Sequence, residues 1–146
     1  MFPGPRLAVF RYMSSEFSGV WYNQHGSVLE LDVNEAGRLA GHFEAGVGLT
    51  DLGERFPVTG FSCGDLVAFA VNFRGRHSLT CWVGHLLGSG PEQRIETLWQ
   101  MVVEFPAAHK PDEKWKGTWS GAGVFLRERH SRAYPERRQP SHPEPR

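Results

Sequence analysis

Between residues 17 and 127, turn-forming residues interrupt the chain so often that only short segments remain, at 17–23, 27–33, 38–45, 56–63, 66–74, 77–86, 94–104 and 117–127. Segments of this length suit strands better than helices that must bury a face of their own. The links NEAG at 34–37, CGD at 63–65, RGR at 74–76 and GSGPEQ at 88–93 are turn-like and fit sequential antiparallel neighbours. Seventeen glycines, ten prolines and a rich aromatic content, five Trp, three Tyr and ten Phe, agree with an all-β chain and little helix. Eight antiparallel strands running up and down can close into a barrel, which removes its own edges and holds one small ligand. A two-sheet sandwich is the alternative that strand counting leaves open.

Alternate residues of a strand share a face. Trp21 with Asn23, then Ser78, Thr80 and Trp82, then Thr97 and Trp99, therefore point to one side of their strands. Together they read as an aromatic pocket with polar tips. Two connections, 45–57 and 106–117, are longer than a hairpin needs, and long loops at a barrel mouth commonly carry binding residues or lids. The second holds Trp115 between Lys114 and Lys116, where the ring either packs on its own rim or closes a site.

Length and composition narrow the function. A chain of 146 residues, 40% hydrophobic, supports one domain. Its organisation reads as a flexible segment at 1–15, a barrel domain at 16–127 and a disordered proline- and arginine-rich tail at 128–146. Sixteen basic residues balance sixteen acidic ones, so no global field favours nucleic acid or an anionic membrane. No segment reaches the roughly 18 apolar residues of a membrane-spanning helix. Arg6 and Arg11 interrupt the apolar residues near the start, which does not resemble a secretory signal, and the compartment stays open. The two cysteines are expected as free thiols, with Cys81 facing outward between inward Thr80 and Trp82. No HExxH, GxSxG, P-loop or CxxC arrangement is present, and His77, beside Ser78, should face outward, so catalysis is not expected. The seven histidines show no metal-ligand pairing on one face.

Five motifs in order then carry a resemblance: GVWYNQHGS at 19–27, GHFEAGVG at 41–48, AVNFRGRHSLTCW at 70–82, ETLWQ at 96–100 and WKGTWSGAGVF at 115–125. The pattern resembles the avidin and streptavidin family from about Phe17 to Phe125. That resemblance implies an eight-stranded up-and-down barrel, biotin as a bound ligand rather than a cofactor, and a homodimer or homotetramer. It implies that Asn23 and Ser27 bond the ureido oxygen, that Ser78 and Thr80 lie near the thioether and valerate chain, and that Trp82, Trp99 and Trp115 form the aromatic box. By the same resemblance Trp115 reaches a neighbouring subunit's pocket. Trp21 and Phe125 are expected in the barrel floor, Trp119 at the surface or an interface, and Leu49 in a lid loop.

Four positions depart from the family pattern. Phe43 stands where the family has a tyrosine that bonds the ureido oxygen, and Ala45 where a hydroxyl takes a ureido N–H. Phe73 replaces a fourth tryptophan. Gly123 stands where an acidic or amide residue holds the other ureido N–H. Replacing Trp with Phe keeps most of the apolar burial. Each of the three missing polar partners leaves a penalty of roughly 1–3 kcal/mol, together about 3–9 kcal/mol, unless water entering beside Gly123 recovers part. The expected function is therefore non-catalytic biotin binding, weaker than in the best members of the family. The alternatives are a barrel for a more apolar small molecule, or an oligomeric interaction module with a vestigial pocket.

Overall fold

The computed structural model describes residues 16–46, 53–104, 117–130 and 139–140. Its strands are β1 Gly19–Asn23, β2 Val28–Val33, β3 Arg38–Glu44, β4 Arg55–Cys63, β5 Leu66–Phe73, β6 Ser78–Leu87, β7 Arg94–Val103 and β8 Thr118–Leu126. Each follows the sequence segment expected for it to within about two residues. The helical content of the described residues is the 3-10 turn at Gly90–Glu92 and Gly117, which is also in 3-10 conformation just before β8. Neighbouring strands pair antiparallel in chain order, and β1 pairs with β8, so the sheet closes into the expected eight-stranded barrel rather than a sandwich. A ninth strand, β9 Gln139–Pro140, pairs with Trp119 and Ser120 of β8, although it falls in the segment expected to be an unstructured tail.

The up-and-down order puts the β1–β2, β3–β4, β5–β6 and β7–β8 connections at one end of the barrel, called the mouth below. The strand ends that flank both long connections are on that side.

Strand alternation fills the interior. Leu29 and Leu31 of β2, Leu39 and Phe43 of β3, Phe56 and Val58 of β4, and Val67, Phe69, Val71 and Phe73 of β5 are all buried in one core. Burying side chains of this size stabilises by roughly 1.5–3 kcal/mol each. The intervening residues face out, and two outward cross-strand pairs, Leu79 with Val102 and Val83 with Leu98, form an exposed apolar stripe on β6 and β7. Between them lies Cys81 opposite Gln100. Cys63 and Cys81 are both free and exposed.

Closure at the β1–β8 seam is thin. Only Tyr22 with Leu126 and Asn23 with Phe125 are in register there. Gln24, just beyond the end of β1, extends the seam with its side chain: Nε2 donates to the Ala122 carbonyl (3.2 Å) and Oε1 accepts from the Val124 N–H (3.0 Å).

Candidate functional site

The β1–β2 hairpin is built around Asn23. Its Oδ1 accepts from the peptide N–H groups of His25 (3.0 Å) and Ser27 (2.9 Å), an Asx-type turn that holds the loop. Gly26 completes the reversal at φ 80°, a conformation that glycine adopts without strain. The Ser27 Oγ accepts from the Gly46 N–H (3.1 Å), which ties the hairpin to the chain leaving β3. Both residues are buried, at 8% and 6% exposure. Their acceptor atoms are thus occupied inside the protein. The Asn23 Nδ2–H2 has no partner among the described residues, and the Ser27 hydroxyl proton is likewise uncommitted, so both are available as donors.

These two donors line a cavity walled by Phe43, Ala45, Gly46, Phe73, Thr80, Trp82, Trp99, Met101, Gly123 and Phe125, with His25 at the hairpin. The rings support one another. Phe43 meets Trp82 at 5.2 Å and Phe73 edge-on at 5.8 Å, and Phe69 stacks beneath Trp82 at 5.0 Å with 15° between planes. Trp82 and Trp99 are cross-strand partners. The Trp99 ring lies across β8, and a Cβ at Gly121 would fall 2.5 Å from its Cζ2. Glycine at 121 is what lets the indole sit there. Beside it, the Thr97 hydroxyl donates to the Gly123 carbonyl (3.0 Å).

Nine of the eleven residues singled out from sequence line this one cavity: Asn23, Ser27, Phe43, Ala45, Phe73, Thr80, Trp82, Trp99 and Gly123. Ser78 does not. It is half-buried at the start of β6, one inward step closer to the β5–β6 turn than Thr80. Trp115 and Leu49 lie outside the described residues. Trp21 is fully buried away from the cavity, and Trp119 is half-buried and not part of its wall. Phe125, expected wholly in the floor, is fully buried yet also reaches the cavity, meeting Phe69 at 6.1 Å. His25, Gly46 and Met101 were not anticipated. Met101 was legible, since it continues the inward alternation of Thr97 and Trp99.

The family model for the avidin family matches residues 12–128. Xenavidin has a similar structure, with TM-score 0.67 and 26% identity over 79% of this chain and 99% of its own. Apo shwanavidin superposes with TM-score 0.61 and 27% identity over 75% and 97% of the two chains. A shwanavidin variant with one phenylalanine changed to alanine, solved as a biotin complex, gives TM-score 0.60 and 26% identity over 75% and 95%. With closed eight-stranded topology, in-order motifs and a family match spanning the whole barrel, the chain belongs to the avidin family.

Proposed function

We propose that the barrel binds biotin, without catalysing a reaction, in the cavity at its mouth. The carrying observation is the pair of donors on Asn23 and Ser27. Their acceptor ends are tied to the hairpin and to Gly46, so what they offer a ligand is N–H and O–H. A carbonyl oxygen fits such a pair, and a cyclic urea set among Phe43, Trp82 and Trp99 would bury its flat faces against rings. The biotin complex of the shwanavidin variant supports the choice of ligand. Phe43, Ala45 and Gly123 offer no side-chain partner to that urea. The affinity therefore lies below that of biotin for streptavidin, a pair near the limit of non-covalent binding.

Thermal unfolding with and without excess biotin tests this. A ligand specific to the folded state raises stability by RT ln(1 + [L]/Kd), so the melting temperature should climb with the logarithm of biotin concentration. No shift at millimolar biotin would reject it. Met101 and Phe125 add apolar wall to the cavity and favour, as a second reading, a more hydrophobic small molecule. Displacement of an apolar fluorescent probe by biotin separates the two.

We also infer self-association. The stripe formed by Leu79, Val83, Leu98 and Val102, at 53%, 60%, 70% and 45% exposure, spans two strands with Cys81 and Gln100 between its two pairs, and exposed apolar patches mark interfaces. Equilibrium sedimentation at micromolar concentration should give a dimer or tetramer. A monomer would remove this part of the reading.

A further inference from the structure

His25 has no part in the function proposed above, yet it is a wall residue of the same cavity as Asn23 and Ser27. The backbone that carries the ring is held: the His25 N–H donates to Asn23 Oδ1 (3.0 Å), and the next residue, Gly26, donates its N–H to the Asn23 carbonyl (3.2 Å). Its Nδ1 is fully enclosed and has no hydrogen-bond partner. That constrains the proton. In the neutral ring one nitrogen carries hydrogen and the other a lone pair. An orphaned buried N–H is rarer in folded proteins than an under-used acceptor, so the enclosed Nδ1 takes the lone pair and Nε2 takes the hydrogen. Nε2 is not one of the enclosed atoms that lack a partner, and no hydrogen bond to another described residue engages it. It is a free donor on a residue of the cavity wall.

Three wall positions carry no polar side-chain group. Phe43 brings a ring without a hydroxyl, and Ala45 and Gly123 bring no polar side chain. His25 stands in the hairpin between the two residues whose donors face the ligand. We propose that His25 is a specificity-determining residue whose Nε2–H donates to the carbonyl oxygen of the bound cyclic urea, as a third donor beside Asn23 Nδ2 and Ser27 Oγ. The assignment rests on the biotin reading of this cavity. It would also give a pocket without a hydroxyl at position 43 a preference for an oxygen acceptor over an apolar edge.

Calorimetric titration of biotin into the wild-type chain and into His25→Leu tests it first, since leucine keeps apolar bulk but has no nitrogen. The expected result is saturable binding by the wild type and a roughly three- to tenfold weaker dissociation constant for the variant, the size of one neutral hydrogen bond. Two-bond 1H–15N correlation spectra of 15N-histidine-labelled protein then read the ring directly, with the His25 signals assigned by their absence from the variant. They should show the His25 proton on Nε2 and an Nε2 resonance that moves on saturation with biotin. A proton on Nδ1, or equal affinity in the variant, overturns the assignment. A weaker variant whose wild-type Nε2 resonance ignores biotin marks mere packing and overturns it as well. If the wild type takes up no biotin at all, the biotin reading itself falls, a different result from unchanged affinity in His25→Leu.

Discussion

The two ends of the barrel handle polar groups in opposite ways. At the floor the fully buried Trp21 donates its Nε1–H to the Phe17 carbonyl (2.8 Å), and the Arg127 guanidinium lies 3.6 Å over the Trp21 ring. The three Arg127 nitrogens reach Gln93 Oε1 (3.1 Å), the Ser18 carbonyl (3.0 Å) and the Glu16 carbonyl. Burial draws the guanidinium below its ordinary pKa, with the Glu16 charge acting the other way. The polar reach of this end is thus turned inward, joining the chain that enters β1 to the chain that leaves β8. At the mouth the Asn23 amide, the Ser27 hydroxyl and the His25 ring each keep a hydrogen-bonding group without a partner among the described residues. A protein that needed the mouth only for stability would gain by pairing those groups. Leaving them open, on a hairpin whose N–H groups at Asn23, His25, Gly26 and Ser27 are bonded, is what a pre-formed binding site requires.

The largest expected effect breaks the floor. Trp21→Ala removes a ring that is 0% exposed, together with its bond to Phe17 and the surface on which Arg127 lies. Truncations of this kind cost about 3–5 kcal/mol. The loss should appear in denaturant unfolding of the protein without ligand. If Trp21→Ala instead left stability within about 1 kcal/mol of wild type, the floor would not be the structural end described here.

Next in size is a change confined to the mouth. Asn23→Asp keeps an oxygen to accept from the His25 and Ser27 N–H groups, so the hairpin should hold and stability should stay within about 0.5 kcal/mol. It removes the Nδ2–H2 donor and faces a ligand carbonyl with a carboxylate. Biotin binding should weaken by about 1–3 kcal/mol or more, read by calorimetry beside a melting curve. A fall in stability equal to the fall in affinity would erase the distinction between the ends.

Much of this was legible because period-2 alternation and turn residues act locally. CGD at 63–65 marks a reversal, and Gly64 indeed turns at φ 60°. The inward sets Thr80 and Trp82, and Thr97 and Trp99, followed from strand parity alone. Parity fails in loops, which is why His25, in a turn, was missed although its neighbours at 23 and 27 were found. It also says nothing of depth: Phe125 was correctly placed inside the barrel, but whether an inward ring ends in the floor or reaches the cavity depends on how Phe69 and Trp82 pack. Gln24 was invisible for another reason. Its partners Ala122 and Val124 are about a hundred residues away in sequence, and a side chain standing in for missing strand pairs has no local signature.

The smallest effect sharpens the comparison at the seam between the two ends. Gly123 faces the cavity, and a Cβ built there would lie 3.3 Å from Thr97 Oγ1, 3.7 Å from Trp99 Cδ1 and 3.8 Å from Gln24 Oε1. Those distances admit a side chain if the threonine hydroxyl gives by a few tenths of an ångström, unlike Gly121, where the indole already occupies the space. On the biotin reading, Gly123→Asn would place an amide oxygen where the family resemblance puts the partner of a ureido N–H. Two stability terms oppose each other: crowding at Thr97, and the smaller conformational freedom of the unfolded chain, which favours the variant by about 0.4–1 kcal/mol. Unfolding should therefore change little. Biotin affinity should rise by about 0.5–1.5 kcal/mol, roughly three- to tenfold, in a side-by-side titration. Unchanged affinity with unchanged stability would mean that the second ureido N–H is already served, by water or by a neighbouring wall, and that the open glycine is not where this barrel loses its grip on the ligand.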